Sequence, residues 1–167
     1  MTGMVVCVTV GPIGSGGVGK RERERHAVAD LLSGMLGRQM TIGHTSDGAP
    51  FIEECPDLFV SVSHCIDAVA VAVSRQGSVG IDIERPSPRL ARVIARVMRD
   101  DEPACIDPLR AWTAKEAVFK CAGVAGMVLS DIRLDARAEY AVTADGSRFA
   151  VCHCGEGIAL AVRLPRD

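Results

Sequence analysis

Apolar residues along the chain change period several times, and those changes divide it into elements. Met4 to Val10 is a β-branched run that reads as a strand, and Gly11 to Gly19 breaks it with a glycine-rich loop. From Lys20 to Gly37 the spacing turns helical, through Ala27, Leu31, Leu32 and Met35, behind a strongly basic start. Thr41 to Pro56 holds no sustained period and carries the turn signal Asp47-Gly48-Ala49-Pro50. Leu58 to Ser63 and Ala68 to Ser74 read as strands, and His64 to Asp67 between them makes a hairpin. Ser78 to Glu84 is a third strand. Apolar and acidic residues alternate at its end, so Asp82 and Glu84 point to one face. Pro88 to Met98 and Pro108 to Ala122 are helix candidates. Ile132 to Leu164 alternates as short strands, with turns at Asp145-Gly146 and Gly155-Glu156-Gly157.

This order predicts an α+β fold of two loosely similar halves meeting near Gln76-Gly77, subdomains of about 1–76 and 77–167 within one domain spanning 1–167. A length of 167 residues suits a single domain. Aromatic residues are 4% of the chain, so its core must be mostly aliphatic. A net charge of −2 argues against broad electrostatic capture of nucleic acid. Met1 to Val10 offers neither a basic n-region nor an apolar core of signal length, and no apolar run approaches the roughly 20 residues of a membrane span. The expectation is a soluble cytoplasmic protein with neither nucleic acid nor membrane as partner. The seven cysteines are odd in number and include no CxxC, which fits reduced thiols used as small apolar residues. Cys152-His153-Cys154 reads the same way rather than as a zinc site, because no second ligand pair accompanies it.

The lysines point to chemistry. Only three occur, Lys20, Lys115 and Lys120, against sixteen arginines. Two of them flank Glu116 within Trp112 to Lys120, which also holds the only tryptophan. A lysine kept in an arginine-rich chain suggests a need for a compact ammonium. On a helix, Trp112, Lys115, Glu116, Phe119 and Lys120 would share one side, with Glu116 and Lys120 a turn apart. Asp82, Glu84 and Glu116 together suit a hard divalent cation that completes its shell with substrate phosphates, and the lysines would hold further phosphate oxygens. The reaction implied is transfer at a pyrophosphate. The plain alternative is an acidic strand end and a solvated helix face. Gly14 to Lys20 satisfies GxxxxGK between a strand and a helix, but Arg21 stands where a phosphate-binding loop needs Ser or Thr. Ser63 and His64 are adjacent on a strand and so point apart, which disfavours a nucleophile–base pair.

Three blocks resemble the phosphopantetheinyl transferase superfamily, in its Sfp-type branch. Phe59-Val60-Ser61-Val62-Ser63-His64 is similar to that family's F-x-S-x-S-H block. Val79-Gly80-Ile81-Asp82-Ile83-Glu84 is similar to G-[VI]-D-[IV]-E, and Trp112 to Lys120 to W-[ST]-x-K-E-[AS]-x-x-K. The resemblance covers about Gly48 to Gly123. It implies two pseudo-twofold-related α+β halves, with antiparallel sheets and a cleft between them. It also implies an enzyme of the holo-acyl-carrier-protein synthase type. Such enzymes move 4′-phosphopantetheine from coenzyme A to a serine of an acyl, peptidyl or aryl carrier protein, with Mg2+, releasing 3′,5′-ADP, often for polyketide or nonribosomal peptide synthesis. Carried over, Asp82, Glu84 and Glu116 would be the magnesium ligands. Glu116 would also be the base, and Lys120 would assist the leaving pyrophosphate. Lys115 would bind coenzyme A phosphate, Ser63 and His64 would lie by the 3′-phosphate, and Arg25 would serve the nucleotide from the first helix. Three departures stand out: Ala49 replaces a usual basic residue, the first half is short, and so is the stretch between Glu84 and Trp112. An inactive binding relative and a P-loop nucleotide enzyme are the competing readings.

Overall fold

The computed structural model describes residues 6–165. Met4 and Val5, the first residues of the expected opening strand, lie outside them. The chain runs β1 (Val6–Pro12), α1 (Lys20–Leu36), β2 (Ile42–His44), β3 (Pro50–Ile52), β4 (Phe59–His64), β5 (Ala68–Ser74) and β6 (Val79–Ile83), then α2 (Pro88–Ile94) and α3 (Pro108–Ala122). A 3-10 turn (Leu129–Asp131) leads into β7 (Ile132–Leu134), β8 (Tyr140–Thr143), β9 (Arg148–Gly155) and β10 (Ile158–Arg163).

The strands form antiparallel sheets, as an α+β reading requires. One has the order β1-β5-β4, a second β6-β10-β9-β8-β7, and β2 pairs with β3 alone. The three strands of the first sheet end at Ser74 and the five of the second begin at Val79, so the halves are unequal.

The Ala-Val alternation of β5 shows how the layers stack. Val69, Val71 and Val73 pack with Val28 and Leu32 of α1. Ala68, Ala70 and Ala72 face the other way, against Val79, Ile81 and Ile83 of β6. Branched side chains fill the space beneath the helix, and methyl groups let the sheets approach. The far face of the second sheet packs Phe149, Val151, Ala159 and Ala161 against Ala111, Ala114, Ala117 and Val118 of α3. The order through the molecule is therefore helix, sheet, sheet, helix.

The sheets are also joined by side-chain hydroxyls. β6 is an edge strand of its sheet. Its Ile81 N–H donates to Ser61 Oγ at 3.0 Å and its Ile83 N–H to Ser63 Oγ at 3.3 Å, both from β4. Two backbone donors that no strand pairs are thus satisfied by a Ser-x-Ser repeat.

Two expectations need revision. Thr41 to Pro56 contains a small hairpin, closed by Thr45 N–H to Ala49 O at 2.9 Å with Gly48 at φ +86°. Three-residue strands are too short to show a period. The helix expected over Pro88 to Met98 ends at Ile94, where Arg96 and Val97 N–H groups reach back only three residues and tighten the chain into a turn.

Candidate functional site

Asp82 occupies the face of β6 turned toward α3, and α3 is built to come close there. Asp107 caps it by accepting from Arg110 N–H at 3.0 Å, Pro108 opens its first turn, and Gly123 closes it at φ +58°. Small residues line its buried side. Opposite them Gly80 leaves no room for a side chain: a Cβ there would lie 1.9 Å from Ala117 O. This close approach places Glu116 and Lys120 over the end of β6.

Lys120 Nζ donates to Asp82 Oδ1 at 2.7 Å and to Ile81 O at 3.1 Å. Ser63 Oγ donates to the same Oδ1 at 2.8 Å. The other oxygen, Asp82 Oδ2, is buried and has no hydrogen-bond partner. Glu84 follows, half-buried, its N–H donating to Gly157 O at 2.9 Å and its Oε1 accepting from Arg85 N–H at 2.8 Å. Burial holds the Glu116 carboxyl above its ordinary pKa; the charge of Asp82 adds to this, Lys120 opposes it, and Glu84 adds a smaller push. These are three carboxylates whose charges repel one another, one with a bare buried oxygen, and carboxylate oxygen is the ligand type a hard cation takes. Among the described residues no three His, Cys, Asp or Glu side chains lie close enough together as they stand to hold a metal ion.

The other expected residues fall in different places. Lys115 is corrected. Its side chain is 0% exposed and pairs with Glu102 Oε1 at 2.9 Å, while its Nζ also donates to Ile132 O and to Leu129 O. It cannot reach a ligand in a cleft. Five residues along a helix turn through about 140°, so Lys115 and Lys120 grip opposite margins of the buried face and do not share a side. Burial pushes the Lys115 ammonium below its ordinary pKa, against the pull of Glu102. Ser63 also differs: its hydroxyl is buried and committed to Asp82 and Ile83, so it supports a carboxylate. His64 points outward, as adjacency on a strand predicts, and lies 3.6 Å from Glu24 Oε1 of α1. Lys20 Nζ is 3.5 Å from the same oxygen. Arg25 is exposed on α1.

The remaining motifs are structural. The glycine loop is exposed, held by Arg23 donating to Gly16 O and Val18 O. The strand before it lies in an antiparallel sheet, which is not the βαβ setting a phosphate-binding P-loop needs. Only Cys65 and Cys121 are buried; Cys7, Cys105, Cys152 and Cys154 are exposed, which departs from the expected use of thiols as core residues. Reasoning from sequence missed Glu24, Ser61 and Glu102. Ser61 was signalled by its alternation with Ser63. Glu102 lies in a loop with no periodicity to mark it.

Comparison with known proteins gives a consistent result. A family model described as the 4′-phosphopantetheinyl transferase superfamily matches residues 78–161. The 4′-phosphopantetheinyl transferase AcpT of Escherichia coli (strain K12) is 30% identical over 161 residues, covering 88% of this chain and 77% of that protein. Enterobactin synthase component D of Salmonella austin is 32% identical over 116 residues, 60% of this chain, and the match spans half of that relative's length.

Proposed function

The chain belongs to the 4′-phosphopantetheinyl transferase superfamily, and from that premise we propose that it transfers 4′-phosphopantetheine from coenzyme A to a serine of an acyl or peptidyl carrier protein. The observation that carries this reading is the bare, buried Oδ2 of Asp82, set among Glu84, Glu116 and Lys120. Asp82, Glu84 and Glu116 would hold Mg2+, which when bound neutralises charge developing on the pyrophosphate.

This chain's own residues supply the rest. Glu116 takes the proton from the carrier serine hydroxyl. Its place one helical turn before Lys120 and beside Asp82 supports that role. The serine oxygen bonds to the phosphorus that carries pantetheine, and the bond to the bridging oxygen breaks, releasing 3′,5′-ADP. Lys120, partly exposed and paired with Asp82, lies where it can share its charge with the departing oxygens. Beside Glu24, Lys20 would offer a cationic contact and His64 a hydrogen-bond donor to the nucleotide end, where Ala49 supplies neither.

The test is mass spectrometry of purified apo carrier proteins given coenzyme A and Mg2+. Each accepted carrier gains the mass of phosphopantetheine, and chelation of the metal stops the gain. Glu116→Gln should lower the rate by about a hundredfold or more while the melting transition persists. Absence of any mass gain across an acyl and peptidyl carrier panel, with intact coenzyme A, would overturn the proposal. Carrier binding without modification would mark an inactive relative.

A further inference from the structure

The buried pair Glu102–Lys115 has no part in the mechanism, yet it is the most fully bonded charge pair among the described residues. Both side chains are 0% exposed. Lys115 meets Glu102, Ile132 O and Leu129 O. Glu102 accepts in addition from Leu134 N–H at 2.7 Å, through Oε1, and from Arg99 N–H at 2.7 Å, through Oε2. One node thus joins the loop after α2, the middle of α3, the 3-10 turn and β7.

Replacing such a pair by apolar residues of similar volume is often neutral or stabilising, so net stability is a weak reason for its presence. The best-attested use of a buried polar group is to fix register. The need for that is visible in α3. Its buried face is made of Ala111, Thr113, Ala114, Ala117, Val118 and Cys121, over Gly80. Small side chains make shallow ridges, and shallow ridges resist sliding or rotation poorly. The last turn has a tie of its own, since Ser78 Oγ donates to Cys121 O at 2.7 Å and Cys121 Sγ donates to Ser78 O. The turn carrying Glu116 has two, at Lys120 and Lys115. The Lys120 tie ends on Asp82, inside the site, and any ligand there competes for it. The Lys115 tie ends outside the site, and its residue neighbours Glu116 in the chain.

We infer that Glu102 and Lys115 are a register pin for α3, a positioning pair that keeps Glu116 aimed at Asp82 without touching substrate. The kinetic consequence rests on the function proposed above; the structural consequence does not.

The decisive variant replaces both charges, Glu102→Leu with Lys115→Met. The double variant melts lower, because the Leu134 and Arg99 N–H groups lose their acceptors; the pin predicts that the protein still folded loses about tenfold to a hundredfold in kcat with the KM for coenzyme A unchanged. It also predicts that iodoacetamide labels Cys121, followed by peptide mass mapping, about tenfold faster. Should the double variant fail to fold, Glu102→Asp keeps the charge pair and shortens its anchor by one methylene, and the same kcat loss and labelling gain are expected. A folded variant of either kind with the original kcat and an equally protected Cys121 would overturn the pin. If the unaltered protein transfers nothing, the proposed function fails, and the Cys121 labelling still decides the pin.

Discussion

The three lysines meet three different environments. The Lys20 side chain is 62% exposed, that of Lys120 28% and that of Lys115 0%. Their rarity was legible and drew attention to α3, which carries two of them. Their roles were not, because sequence spacing gives an angle around a helix and not which margin faces a cleft. Among the carboxylates, Asp145 has the clearest environment. It accepts from Thr143 Oγ at 2.5 Å, Ser147 N–H at 3.1 Å and Ser147 Oγ at 2.9 Å, which lowers its pKa to about 2. The unfolded value is near 3.8, so the folded state binds fewer protons between the two. The stability this group contributes is present above pH 3.8 and is lost as pH falls toward 2. NMR titration should place the Asp145 carboxyl midpoint near 2, with the Ser147 amide shift following it; a midpoint at 3.8 would contradict the turn geometry.

At the scale of the element, α3 was the most legible, because Asp107, Pro108 and Gly123 are chemical end signals independent of packing. The β2–β3 hairpin was the least, for want of length. The site depends on how near α3 comes to β6, and Gly80 sets that distance. Gly80→Ala would place its Cβ 1.9 Å from Ala117 O and 2.6 Å from Cys121 N, backbone atoms that move only with the whole helix. The expected cost is about 3 kcal/mol or more, measured by urea unfolding, with transfer activity lost even at temperatures where the variant is folded. Unchanged stability would mean that α3 does not lie where described.

For the whole molecule, the central layer decides behaviour. Residues of both sheets share one core: Ala68, Ala70 and Ala72 from the first, Val79, Ile81 and Ile83 from the second, with Val6, Val8, Ile158 and Leu160 around them. Neither sheet keeps both faces covered without the other. Unfolding should therefore be a single transition, with coincident urea midpoints for Trp112 fluorescence, which reports the second half, and far-UV circular dichroism, to which α1 contributes most as the longest helix. Separated midpoints would show two independently folding units. The α+β class and antiparallel strands were readable from alternation. The unequal strand counts and the joint were not, because they depend on which edge meets which face. The Ser61 and Ser63 hydroxyls at that joint have one more consequence. An unpaired strand margin is an invitation to intermolecular pairing, and here two hydroxyls occupy it. Losing them would free the margin of β6 to recruit a strand from another molecule, and the same opening would uncover Asp82. Ser63 alone serves both ends, closing the margin through Ile83 N–H and holding Asp82 through Oδ1.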